Sequence, residues 1–311
     1  MKHLEEPVIG PQGHDYTRLA GHLGRLKGEK VVYVQSPGNA GDAIIFSGTA
    51  EFFSQIGLEV FYGNWQERYP GHHVVYAGGG NLVPYYRQTG HFIASNVDTV
   101  KSFTLLPSSI RGHEDLLSRM DDRFTLYVRE QESFDHAEKH ASSANVELCH
   151  DMAFANDFQD FSGMLERVRN GNEKVLRPAR SGKEARDYAL WLLSRSKRWA
   201  EGVRLPRDTD ILNAYRTDVE STSPGEKRES NADISRLFSM NHGEHPFLSL
   251  MIAKKFVEAI NRYETVNTDR LHVSIAAAML GKTVHVQDNT YGKITGVMKK
   301  SMSNFSNVYM T

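Results

Sequence analysis

The chain has 311 residues, 40% apolar and 24% charged, with a formal net charge of −1 and one cysteine, Cys149. This describes a well-cored globular protein with no overall field for nucleic acid or an anionic membrane surface, and it excludes an intrachain disulfide or a zinc site built on thiolates. No run approaches the roughly 20 apolar residues of a membrane span, and the acid-bearing N-terminus has no signal-peptide core, so the expected location is cytoplasmic, with peripheral contact at the inner face of the membrane left open.

From residue 30 short β-rich runs alternate with helical stretches. "VVYVQ" (31–35) predicts a buried strand that ends in the turn "SPGNAGD". A helix follows, with Ile44, Ile45, Phe52, Phe53 and Ile56 apolar and Gly57 as its C-cap. "LEVFYG" (58–63), "HVVYAGGG" (73–80), "SFTLLPSS" (102–109) and "FTLYVRE" (124–130) continue the strands, and a short helix precedes "VELCHDMAF" (146–154). Residues 155–172, polar and holding Gly163, Gly171 and Asn172, predict a domain boundary. Beyond them come a strand "KVLRPAR" (174–180), a charged helix with Trp191, Leu192 and Leu193, a strand and turn in 209–221, and a loop over 221–233. An amphipathic helix (246–263), strand "ETVNT" (264–268), a helix, strand "TVHVQD" (283–288) and a helical tail from Lys293 complete the series.

Strand–turn–helix units repeated at this spacing imply parallel sheets covered by helices. The expected architecture is α/β, with two Rossmann-like domains, residues 1–162 and 163–311, facing a central cleft. Ligands of such sheets sit outside the carboxyl ends of the strands, and each polar motif falls at such an end.

"GNAGD" (38–42) follows a strand and opens a helix, which suits an anion, but it is neither a dinucleotide fingerprint nor a P-loop. Its plain alternative is an ordinary turn with Asp42 as an early-turn acid. The triple glycine of "AGGGNL" (77–82) is costly for a merely structural turn and points to close approach by a substrate or another backbone. "LLPSSI" (105–110) and "YVRE" (127–130) put polar groups past strands. Arg129 either aims its guanidinium fork at the cleft or pairs with Glu130, Glu132 or another acid. His150 and Asp151 lack the converging partners of a metal site, and Arg216 with Asp218 reads as a surface ion pair. No metal is expected. Neither is covalent catalysis by serine or by Cys149, for want of an elbow motif or an evident base.

The segment "TDRLH" (268–272) carries the most information. Arg270 and His272 oppose the positive end of a helix dipole, so they either face water or wait with it for an anionic ligand. Lying about 200° apart on a regular helix, they meet one ligand only around its end. His272 can also exchange protons near neutral pH.

Taken in order, "GNAGDAII", "AGGGNL", "LLPSSI", "VREQES", "HDMAF", "TDRLHVSIAAAMLGK" and "DNTYGK" make residues 31–295 resemble the polysaccharide pyruvyl transferases. The resemblance implies an architecture like the GT-B glycosyltransferases and transfer of pyruvate from phosphoenolpyruvate, as co-substrate with no cofactor, onto two hydroxyls of an exopolysaccharide sugar, lipid-linked or polymeric. It implies His272 and Asp42 as catalytic residues and Arg270, Arg129, Leu271 and Ser133 at the donor, with Asn39, Gly41, Gly79, Gly80, Asn81 and Ser108 at the acceptor or cleft loops. Expected partners are the donor, the saccharide and, at the membrane, polysaccharide assembly machinery. Residues 181–245 match no family pattern. Two rival readings are a GT-B glycosyltransferase using a nucleotide sugar, with Asp269 or Asp288 as its ribose-binding acid, and a non-catalytic sugar-binding member of an assembly complex.

Overall fold

A computed structural model describes residues 7–171, 186, 205–206, 208–218, 220–221, 230–238, 246–289 and 292–311. The predicted strand 174–180 and the helix carrying Trp191 lie outside the described residues, as does most of the 221–233 loop.

Seven parallel strands form the first sheet: β1 (Val31–Val34), β2 (Phe61–Gly63), β3 (His73–Tyr76), β4 (Gly79–Leu82), β5 (Ser102–Ile110), β6 (Phe124–Val128) and β7 (Asn145–Leu148). Their order is β2-β1-β3-β5-β6-β7, and β4 takes over beside the far end of β5 where β3 stops. Helices α1 (Thr17–Gly24), α2 (Ala40–Ile56), α3 (Gln88–Asn96), α4 (Glu114–Leu117), α5 (Gln131–His140) and α6 (Phe161–Gly171) accompany it, with a 3-10 turn at Met152–Ala155. A second parallel sheet, ordered β11-β10-β9-β8, comprises β8 (Ile211–Ala214), β9 (Thr265–Thr268), β10 (Thr283–Val286) and β11 (Val308–Met310). With it come α7 (Ile234–Leu237), α8 (Pro246–Ile260), α9 (Leu271–Met279) and α10 (Lys293–Ser301).

Side chains of a strand alternate between faces, and here both faces are apolar. Val31 and Tyr33 enter one core with Phe46 and Phe53 of α2, while Val32 and Val34 enter another with Phe92 and Phe103. A third core joins the second sheet and α8 and α9 to Ala40, Ala43 and Ile44 of α2. Helix α2 is therefore buried nearly all round, as a helix apolar on every face must be. Asn39 and Asp42 close a capping box at its start, and Gly57, at φ +62°, ends it as the sequence predicts.

The polar stretch predicted as a boundary contains α6, packed against α2. Helices α1, α3, α4 and α7 had no expectation, β4 begins inside the predicted strand 73–80 and is half glycine, and the tail expected to be helical from Lys293 ends as the three-residue strand β11. Among the described residues no helix is long and apolar enough to cross a membrane.

Asn156 ties the middle of α2 to the 3-10 turn. It accepts from Ser47 Oγ at 2.6 Å and donates to the carbonyls of Ile44 and Ala153 at 3.0 and 2.9 Å, with no exposure to water. Asn156→Leu should lower unfolding stability by about 2–3 kcal/mol, because buried polar groups lose their partners. Urea denaturation at neutral pH reads this, and an unchanged midpoint would remove Asn156 as a link.

Candidate active site

The carboxyl ends of both sheets face one cavity of about 220 Å³. The first sheet contributes Pro37, Gly38 and Asn39 after β1, Gly80 and Asn81 in β4, and Arg129 after β6. The second contributes Arg216 and Glu220 after β8, Arg270, Leu271 and His272 after β9, and Lys293 after β10. In the first sheet β1 and β3 are neighbours while their successors diverge, so the loops after them flank a topological switch point, where α/β sheets bind ligands.

Arg129 is fully buried. Its Nη1 donates to Asp151 Oδ2 at 2.5 Å and its Nε to Ser109 Oγ at 3.0 Å. The acids considered from sequence as its partners are otherwise engaged: Glu130, itself buried, accepts from Arg111 at 3.0 Å, and Glu132 also pairs with Arg111. Asp151 lies 3.4 Å from His272 Nε2 and accepts the amide of Ala153 at 2.8 Å. Burial alone would push its carboxyl up, but the charges of His272 and Arg129 outweigh that and hold it well below the usual carboxylate range.

His272 sits at the second position of α9, whose N-cap is Arg270 itself, in extended conformation. Gly41, in the first turn of α2, makes this neighbour possible, since a Cβ there would come 2.5 Å from His272 Nδ1. One residue on, Asp42 accepts the Asn39 amide through Oδ2 at 2.8 Å and also lines the cavity. Burial pushes its carboxyl up, against the opposing pull of His272, the Asn39 amide and Arg129.

Arg270 does not face water. Its Nη2 meets Asp233 at 2.5 Å and Asp218 at 2.9 Å, while its buried Nε has no hydrogen-bond partner among the described residues. Arg216 corrects the reading of a surface pair: it is 8% exposed, with Nε 2.7 Å from Asp218 and Nη1 2.6 Å from Glu220. Glu220 also receives Lys293 Nζ at 2.7 Å, Asn289 at 3.0 Å and the Tyr86 hydroxyl at 2.7 Å. Burial opposes its charge, but Lys293 and Arg216 hold the carboxyl far below the usual range. Burial also pulls the Lys293 ammonium down to about 8, against Glu220.

The triple glycine divides its work. A Cβ on Gly78 would lie 2.4 Å from the Pro107 carbonyl, so this residue lets β4 pass close along β5. Gly79 adopts φ +130° beside Asp42, and Gly80 lies against Arg129 and Lys293.

The structure thus brings Asp42, His272, Arg129, Arg270, Leu271, Asn39, Gly80 and Asn81 to one cavity, with Gly41 and Gly79 behind its wall. Ser133 and Ser108 are elsewhere. Ser133 is buried in a bracket with Glu130, Arg111 and the Ile110 backbone, and the Ser108 hydroxyl turns back to the Leu106 carbonyl at 2.8 Å. A strand's alternation explains Ser108: its neighbour Ser109 meets Arg129 instead. Asp269 accepts the Arg216 backbone N–H, and Asp288 caps the start of α10 through the amides of Ile294 and Thr295; neither lines the cavity.

Asp151, Arg216, Glu220 and Lys293 were not among the residues assigned from sequence. Three of them had a signal: Asp151 stands in "HDMAF", Lys293 ends "DNTYGK", and Arg216 was read as half of a surface pair, whereas Glu220 had none. Among the described residues, one group with metal-compatible donors exists, Glu114, His136 and His140, and none of these lines the cavity. Cys149 is buried, and burial pushes its thiol up to about 12, away from nucleophilic use.

A sequence model described as "Polysaccharide pyruvyl transferase" matches residues 39–289. The chain is 27% identical over 297 residues to a Bacillus subtilis (strain 168) protein named "Putative pyruvyl transferase EpsO", covering 89% of this chain and 87% of that one. It also superimposes on the crystal structure of an uncharacterised protein from Klebsiella pneumoniae subsp. pneumoniae NTUH-K2044. That match has a TM-score of 0.71 and 27% identity, over 94% of this chain and 97% of the other.

Asp151→Asn should cost about 3–5 kcal/mol at neutral pH by removing the buried carboxylate charge that faces the Arg129 guanidinium. The folded carboxyl lies below its unfolded value of about 4, so its stabilisation is present above that value and lost as pH falls below it. Asparagine does not titrate. Urea unfolding at descending pH should therefore show the two proteins converging below about pH 4, and a gap independent of pH would refute this account of Asp151.

Proposed function

The chain belongs to the polysaccharide pyruvyl transferase family, and from that premise we propose that it moves pyruvate from phosphoenolpyruvate onto two hydroxyls of a sugar. The acceptor in this reading belongs to an exopolysaccharide or its lipid-linked repeat unit. The observation that carries it is the meeting of Arg129, Arg270, His272 and Asp42 in one cavity, drawn from the strand ends of two sheets.

Phosphoenolpyruvate carries a carboxylate and a phosphate, and Arg270 and Arg129 suit such groups through planar, permanently charged guanidinium forks. His272 acts as general acid towards the methylene carbon, with Asp151 beside Nε2 to orient the ring. A sugar hydroxyl attacks the neighbouring carbon, phosphate departs, and the second hydroxyl closes the ketal. Asp42 accepts a proton from the attacking hydroxyl; a carboxyl raised by burial is a better base than an exposed one. Asn39 and Asn81, on the cavity wall, are the polar groups assigned to the acceptor. The two sheets then act as two domains closing on the reactants, in the manner of GT-B enzymes. No step calls for a metal.

A nucleotide-sugar transferase draws less support. Both acids available for its ribose contact are committed to backbone amides, and the cavity wall is charged where a nucleobase needs an apolar or aromatic slot.

A thermal-shift titration with phosphoenolpyruvate, beside UDP- and GDP-sugars, tests the reading directly. The donor should stabilise the wild type, and Arg270→Ala should weaken that binding about 10–100-fold, in line with loss of a charge-assisted hydrogen bond. Stabilisation by a nucleotide sugar alone would reject pyruvyl transfer. His272→Ala should bind the donor within about threefold of wild type yet lose about 10²–10⁴-fold in turnover; near-normal turnover would remove it as the acid. Activity should survive EDTA, and complete loss would overturn the metal-free scheme.

A further inference from the structure

Lys293 brings a buried ammonium to the cavity. It is 7% exposed, at the first position of α10, and its amide donates to Asn289 Oδ1 at 3.1 Å. Its ammonium emerges beside Arg129, although the two come from different sheets. Gly80 sits between them. A Cβ on that residue would lie 3.2 Å from Arg129 Nη2 and 3.4 Å from Lys293 Nζ. The glycine therefore keeps open a gap flanked by two buried cations, and its backbone has no positive φ that would call for glycine on conformational grounds.

We propose that Arg129 and Lys293 form the seat for a phosphate group above Gly80, with Arg270 left to the carboxylate at the other side of the cavity. This rests on phosphoenolpyruvate being the donor. Two cations from opposite sheets would then hold the leaving group, where positive charge aimed at a developing anion contributes most.

Proton accounting favours a lysine there. Phosphoenolpyruvate trianion and a diol give a ketal carboxylate and hydrogen phosphate. The two hydroxyls release two protons; one ends on the methylene carbon and the other on phosphate. As the bond from carbon to the bridging oxygen breaks, its electron pair stays on that oxygen, which needs a proton. Arginine does not deprotonate in proteins, so Arg129, Arg216 and Arg270 cannot supply one. Lys293 can, and the proton lost by the second hydroxyl restores it. The groups that face its ammonium among the described residues include Glu220 and Arg216 from beyond β8 and Arg129 from beyond β6, with Tyr86 and Asn289 bonded to Glu220. With burial they hold Lys293 at about 8, where a proton is exchangeable near neutral pH.

Calorimetric titration of the full chain with inorganic phosphate, and separately with pyruvate, tests the seat without an acceptor. Lys293→Met should weaken phosphate binding at least about tenfold while pyruvate binding stays within about twofold, the loss of one charge-assisted contact being worth that much. Gly80→Ala keeps every charge and fills the gap, so it should weaken phosphate similarly, and it decides the matter if the lysine variant fails to fold. Phosphate affinity of the wild type should fall as pH rises through about 8 and beyond, and Lys293→Arg should hold its affinity there. Wild-type phosphate binding by either Lys293→Met or Gly80→Ala, or no phosphate binding by the wild type, would overturn the seat. Phosphate binding that follows these expectations with no binding of phosphoenolpyruvate would instead reject the donor and keep the seat.

Discussion

The Arg129–Asp151 contact joins the end of β6 to the turn after β7, and neither side chain reaches water. Two charges removed from solvent are tolerable only when each is fully engaged, and the local structure meets that demand. Ser109 takes the Nε of Arg129, the Ala153 amide takes the second oxygen of Asp151, and the Tyr16 hydroxyl from just before α1 donates to the Asp151 carbonyl. His272 then arrives from the other sheet against an acid already fixed in position. The position of His272 is thus set by a pair that belongs to the first sheet, which couples the two halves of the cavity.

Helix α2 supplies the second coupling. Its buried flanks belong to the cores of both sheets, and its N-terminus delivers Asn39 and Asp42 to the cavity through the same capping box that starts the helix. The two accounts of Asp42 open in the sequence, a dipole-favourable acid and a site acid, are therefore not exclusive. One oxygen closes the cap, and the carboxyl still lines the cavity.

What the sequence revealed follows from which signals are local. Strand–helix alternation and strand-end loops are local, so the parallel sheets and the motif positions were legible. The "TDRLH" anomaly was legible because basic residues at a helix start contradict the dipole, a conflict visible in five letters. Burial is not local. Arg216 and Asp218 look like a surface pair in one dimension and prove to be part of a buried network. Asp151 announced itself only as a polar residue at a strand end, because its partners are 22 and 121 positions away. Ser133 and Ser108 went the other way. Proximity to a motif suggested the cavity, while their hydroxyls serve the backbone and neighbouring side chains. Element β11 has too few residues for any period to register.

Asp218 and Asp233 occupy Arg270 in the structure as it stands, and Asp218 also holds Arg216. An incoming anion that reaches for Arg270 meets an exchange reaction instead of an empty receptor: a carboxylate of the protein must yield to one from outside. The free energy of such a swap is a small difference between two similar ion pairs, insensitive to the absolute strength of either. Discrimination then falls to whatever else the visitor can touch at the same time. A small monoanion merely replaces like with like, whereas a ligand with a second, well-spaced charge gains a contact that the internal carboxylates cannot offer. The protein's own acids thereby act as resident competitors that raise the threshold for casual ions of the surrounding medium.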